Sequence, residues 1–114
     1  MIDQRTPSQQ ITETVLAWPG TTAETGSRGE WSLRLGRREI GHLHGDRVAH
    51  LFFHKSLWQA LHDEGRIEHH PVFSDREGPA SRSIETQDDV DDVIAMLRLS
   101  YDRAVARFGI SEAA

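Results

Sequence analysis

His42 and His44 stand two residues apart in the segment Arg37-Arg38-Glu39-Ile40-Gly41-His42-Leu43-His44-Gly45-Asp46-Arg47. On an extended chain, residues i and i+2 project from one face, so the two imidazoles would share a surface. Imidazole titrates near neutrality, which suits it to take a proton from a weakly acidic group, and its ring nitrogens ligate metals. A metal centre needs three or four convergent ligands. His42 and His44 supply two, and His69 or His70 becomes a third if that segment pairs nearby. No H-E-x-x-H spacing is present, so no metal is expected. G-x-S-x-G and G-x-x-x-x-G-K-[ST] are also missing, which removes the common nucleophile elbow and phosphate loop.

The elements that must position these residues are readable from periodicity. Thr6 caps a helix with Pro7 at its first position, and Ile11, Val15 and Trp18 recur as one helical stripe until Pro19-Gly20. Residues 21–25 suggest a short strand, followed by a Gly26–Gly29 turn. Trp31, Leu33 and Leu35 alternate with polar residues as a half-buried strand. Gly36-Arg37 and Gly45-Asp46 read as tight turns around strands 38–44 and 47–53. A helix over 55–64 carries Leu57, Trp58 and Leu61, and Gly65 stops it. Residues 67–72 form a weak strand, 73–80 an exposed loop and 81–85 a short strand. The last helix begins at the Thr86 cap with Asp89 three residues on, has acids at its start and arginines toward its end, and stops at Gly109. The expected fold is α+β: an antiparallel meander covered on one face by an N-terminal, a middle and a long C-terminal helix. One domain spanning 1–114 is expected, its core within about 6–109.

Two-residue turns would pair His44 with Arg47, His42 with Ala49 and Trp31 with His42. Directly paired residues share a face. His42 and His44 would then join Trp31, Leu33, Leu35, Ile40, Ala49, Leu51 and Phe53 under the helices, with His50 and His54 on the opposite face. A one-residue change in either turn inverts this assignment. Backbone-bonded structural histidines are the alternative to a site, and His62 is expected to be solvated.

Bulk properties narrow the classes of function. Thirteen Lys and Arg stand against 18 Asp and Glu, a net charge of −5. Nucleic acid is therefore not an expected partner, because counterion displacement needs basic surface. The chain has no cysteine, so it has no disulfide and fits a reducing compartment. No leader pattern and no run of ~20 apolar residues are seen, so a soluble cytoplasmic protein without a membrane segment is expected.

Trp18-Pro19-Gly20, Leu35 to Asp46, His69-His70-Pro71 and Leu97-Arg98-Leu99-Ser100-Tyr101 together resemble the luciferase-domain family, over residues 15–107. This bacterial family takes its name from the fungal luciferases. The layout is also similar to small YjbR-like α+β domains. Fungal members oxidise a hydroxylated pyrone with molecular oxygen and need no metal or organic cofactor. The resemblance implies His42 and His44 as the catalytic bases, no cofactor, and a small aromatic or enolisable ligand. Trp31, Arg38, His69 and His70 are the expected ligand-binding residues. This chain departs from the family pattern at His50, where an acid is common, and at Gly78-Pro79, where Gly-Trp is common. The alternative is a non-enzymatic interaction module, using the Phe52/His50 sheet face to hold a protein partner or a second copy as a homodimer.

Overall fold

The computed structural model describes residues 3–110. The elements run α1 (Pro7–Leu16), β1 (Thr21–Thr25), β2 (Trp31–Leu35), β3 (Arg38–His44), β4 (Val48–Phe52), α2 (Lys55–Asp63), β5 (Glu68–His69), β6 (Pro79–Ser83) and α3 (Gln87–Phe108). The strands form one antiparallel sheet in the order β1-β2-β3-β4-β6-β5. The α+β arrangement is therefore the one expected. The strand expected over 81–85 begins two residues earlier, and the one expected over 67–72 shortens to Glu68–His69.

Two capping boxes start the outer helices. Thr6 and Gln9 exchange side-chain and backbone hydrogen bonds at α1, as do Thr86 and Asp89 at α3. The three helices lie on one face of the sheet, over a core that includes Ile11, Leu33, Leu43, Trp58, Met96 and Leu97. Gly41 lets α3 come close. A Cβ there would lie 2.6 Å from Leu97 Cδ2, and Leu97 is itself buried. Arg82 ties β6 to α3, donating to Asp89 Oδ1 and Asp92 Oδ2 at 2.6 Å each. Tyr101 closes the far end by donating its hydroxyl to the Pro19 carbonyl at 2.6 Å. No described helix is long and apolar enough to cross a membrane.

Register decides what faces the open side, and it differs from expectation in both hairpins. The second turn contains three residues, Gly45-Asp46-Arg47, so His44 pairs with Val48 and His42 with His50. The first turn is Gly36-Arg37, but a bulge follows at Arg34/Glu39. Leu33 then pairs with Gly41, Ser32 with His42 and Trp31 with Leu43. Burial of both Ile40 and Gly41 marks that bulge on β3. Each change reverses parity, so His42 and His44 lie opposite the helix-covered face.

Candidate functional site

The three-residue turn brings a histidine cluster together. His50 Nδ1 lies 3.2 Å from His42 Nε2, 3.1 Å from His44 Nε2 and 3.1 Å from His70 Nε2. β3 supplies His42 and His44, β4 supplies His50, and the segment after β5 supplies His70. One nitrogen from each of His42, His44 and His50 lies within 4.8 Å of the other two. The third ring of that group is His50, which two-residue turns would have set on the opposite face.

The partners around the cluster fix two tautomers. Val72 donates its backbone N–H to His70 Nδ1 at 3.1 Å, so the proton of a neutral His70 is on Nε2, facing His50 Nδ1. His42 Nδ1 lies 3.1 Å from Glu39 Oε2, while Ser32 donates its hydroxyl to Glu39 Oε1 at 2.7 Å. The hydrogen bond from His42 outweighs the burial of Glu39 and holds its carboxyl below the usual range. An ionised Glu39 requires N–H at His42 Nδ1, which leaves a lone pair on Nε2 of a neutral ring. Burial, then the rings of His70, His44 and His42, push His50 down to about 4. Burial also lowers His70, with His42 and His44 adding to the effect. Neutral, protonated and metal-bound imidazoles place different demands on this geometry. A single nitrogen with three nitrogens around it cannot form three ordinary hydrogen bonds.

Two concavities adjoin the cluster. A recess of about 190 Å³ is lined by Glu39, His42, His50, Phe52, His70 and Phe73 among others. A cavity of about 350 Å³ lies between the second half of α3 and the β3–β4 end, and shares Glu39, Ile40 and Phe52 with the recess. Its walls include Leu57, Leu99 and Phe108 as well as Arg38, Arg103 and Arg107. The Arg38 guanidinium carbon sits 3.3 Å from the centroid of the Phe108 ring. Ion pairs of the described residues engage Arg5, Arg34, Arg66, Arg76, Arg82 and Arg98. Among those residues the three cavity arginines have no carboxylate partner. Ser100 also lines the cavity, and its buried hydroxyl has no hydrogen-bond partner.

The residues put forward from sequence separate into three groups. His42, His44 and His70 meet in the cluster. Arg38 stands on the cavity wall. Trp31 and His69 do not join them. Trp31 packs against the core and donates its indole N–H to Thr12 Oγ1 at 2.9 Å, on the α1 side. The His69 ring is 4.7 Å from that of Trp58, on the α2 side. The exposed His62 is not simply solvated, since its ring stacks on Trp58 at 4.7 Å. Glu39, Ser100 and His50, the last expected only on the Phe52/His50 docking face, are additions to that set. One signal was present for His50: it and His42 are equidistant from Asp46, so an odd-length turn centred there pairs them.

Comparison with known proteins adds one match. The family model described as Luciferase domain matches residues 37–100, over half of the chain. That span holds the cluster, the recess and part of the cavity wall. No curated protein and no solved structure matches the chain.

Proposed function

The chain belongs to the luciferase-domain family, and from that membership we propose that it takes up a small acidic aromatic or enolisable compound in the α3 cavity. The supporting observation is the combination on that wall: apolar and aromatic surface, three arginines free of carboxylates among the described residues, and an unpartnered hydroxyl. A planar acid suits these groups. Its ring packs on Phe108 and Leu99, its anionic oxygen meets guanidinium, and a further oxygen accepts from Ser100. An enolic hydroxyl reaching the adjoining recess would meet His42, a candidate proton acceptor, with His44, the other candidate, one ring further on across His50. Oxidation by dioxygen, as in the fungal members, belongs to this reading. Light emission does not.

Isothermal titration with a hydroxylated pyrone tests it. We expect one molecule bound per chain. Replacing both Arg103 and Arg107 with Met should weaken binding by more than about tenfold, since a hydrogen bond to a charged group contributes ~1.5–3 kcal/mol. Absence of pyrone binding, or full affinity in the double variant, would overturn the proposal.

A second reading, docking of a protein partner, has its own observation. Phe52 is 69% exposed, and Val72 and Phe73 are exposed on the loop bordering the same recess. Apolar surface of this kind is a common mark of interaction sites. Light scattering separates the two: self-association at moderate concentration that is lost in Phe52→Ser favours docking, and a monomer favours the ligand cavity.

A further inference from the structure

We propose that His42, His44 and His50 form a binding site for a divalent first-row transition metal, with Glu39 fixing the His42 ring from behind. The site goes beyond the ligand reading and does not depend on it.

The first support is geometric. Three imidazole nitrogens bound to one cation at the usual ~2.0–2.1 Å are separated by about 2.9 Å at right angles and about 3.4 Å at tetrahedral angles. His50 Nδ1 lies 3.2 Å from His42 Nε2 and 3.1 Å from His44 Nε2, inside that interval. His50 Nδ1 thus stands at ligand spacing from two imidazole nitrogens, and one nitrogen of each of the three rings lies within 4.8 Å of the other two.

Hydrogen-bond accounting gives the second, independent support. With His42 Nδ1–H committed to Glu39, the Nε2 of the neutral ring presents a lone pair to His50 Nδ1. His70 directs its Nε2–H at the same atom, because its Nδ1 already accepts from Val72. One donor therefore serves a nitrogen that has two further ring nitrogens beside it. A cation taking the lone pairs of His42, His44 and His50 would remove the opposition of lone pairs among these three rings, and the His70 N–H would have to turn away from His50 Nδ1, which has a single lone pair.

The surroundings fit a metal of this class. The Ser32–Glu39–His42 chain has the order carboxylate, histidine, metal that orients ligating imidazoles elsewhere. All three donors are imidazoles, which favours Zn²⁺, Co²⁺, Ni²⁺ or Cu²⁺ and disfavours Mg²⁺ and Ca²⁺, which take oxygen ligands. Three protein ligands leave a coordination position free, the pattern of reactive rather than purely structural centres. The recess lined by His42, His50 and His70 lies alongside. A cation there would lower the pKa of a hydroxyl bound to it, doing by Lewis acidity what free imidazole would do as a base.

The test uses metal alone. The chelator-treated protein is titrated with Co²⁺, Zn²⁺ and, as a control, Mg²⁺, with calorimetry and visible absorbance as readouts. We expect one Co²⁺ or Zn²⁺ per chain, d–d bands of imidazole-bound Co²⁺, and no Mg²⁺ binding. His50→Ala should remove the site, and Glu39→Gln should weaken it by about 10–100-fold. His44 is exposed at the end of β3, so His44→Ala gives the same test with little demand on folding. His62→Ala, on the far side beside Trp58, should leave binding unchanged. Lack of stoichiometric binding, or full affinity in both His44→Ala and His50→Ala, would overturn the proposal. Because no pyrone is present, this outcome is separate from that of the cavity.

Discussion

Ser100→Ala is expected to stabilise the protein and weaken its ligand binding, two effects of opposite sign from one atom. The Ser100 hydroxyl is buried on the cavity wall with no partner. Leaving such a group unpaired costs on the order of 1–3 kcal/mol. Ser100 also lies inside α3, where Ala is favoured over Ser by roughly 0.5 kcal/mol. Removing the oxygen should therefore raise stability by about 1.5–3.5 kcal/mol, which corresponds to roughly 6–15 °C in Tm for a chain of this size. On the proposed reading the same hydroxyl is the neutral donor to a bound pyrone. Its loss should remove a net ~0.5–1.5 kcal/mol, a weakening of about 2- to 13-fold. Differential scanning calorimetry of the free protein and titration calorimetry with the pyrone measure the two halves. A variant less stable than the parent would show that the hydroxyl is satisfied within the fold. Unchanged affinity would show that it does not face the ligand.

Other perturbations separate fold from site. Trp31→Phe should lose the bond to Thr12, worth about 0.5–1.5 kcal/mol, and leave pyrone affinity untouched, as titration of both proteins will show. Leu97→Ala should cost about 2–5 kcal/mol in urea unfolding, because Leu97 fills the space that Gly41 leaves between α3 and the sheet. Gly41→Ala should also destabilise, by about 1–3 kcal/mol, since its methyl enters that same space. Acid lability should trace in part to Asp89. The Arg82 hydrogen bond, with backbone N–H groups of Glu85 and Thr86, holds its carboxyl at about 2 in the folded chain. The unfolded value is near 3.9, so this stabilisation is complete above that pH and is lost as pH falls toward 2. Asp89→Asn should flatten the stability–pH curve across that window. An unchanged slope would remove Asp89 as a cause.

Local chemistry made most elements legible. Thr6-Pro7 and Thr86 announced their helices, and Val90, Val93, Leu97 and Tyr101, spaced at three and four residues, are the face of α3 that is buried. Face assignment failed for a physical reason. Side-chain direction in a strand has period two, so one extra turn residue at Arg47 and one bulge near Glu39 each reverse it. Alternation alone favoured placing His42 with Leu33, whereas Leu43 is the buried neighbour. Arg38 could be placed beside a turn, but its cavity depends on α3, some sixty residues later in the chain, packing across the β3–β4 end. No local pattern encodes that meeting. The unpartnered state of Ser100 is likewise a property of packing.

The most direct measurement is chemical-shift mapping of a hydroxylated pyrone on the ¹⁵N-labelled protein. We expect saturable shifts at Arg38, Phe52, Leu99, Ser100, Arg103 and Phe108, extending to His42 and His50 across the shared Glu39 wall. Trp31 and residues of β1, on or beyond the α1-covered side, should not move. Shifts centred on Trp31 and Thr12, or no saturable shifts at millimolar pyrone, would contradict the assignment of the α3 cavity as the ligand site.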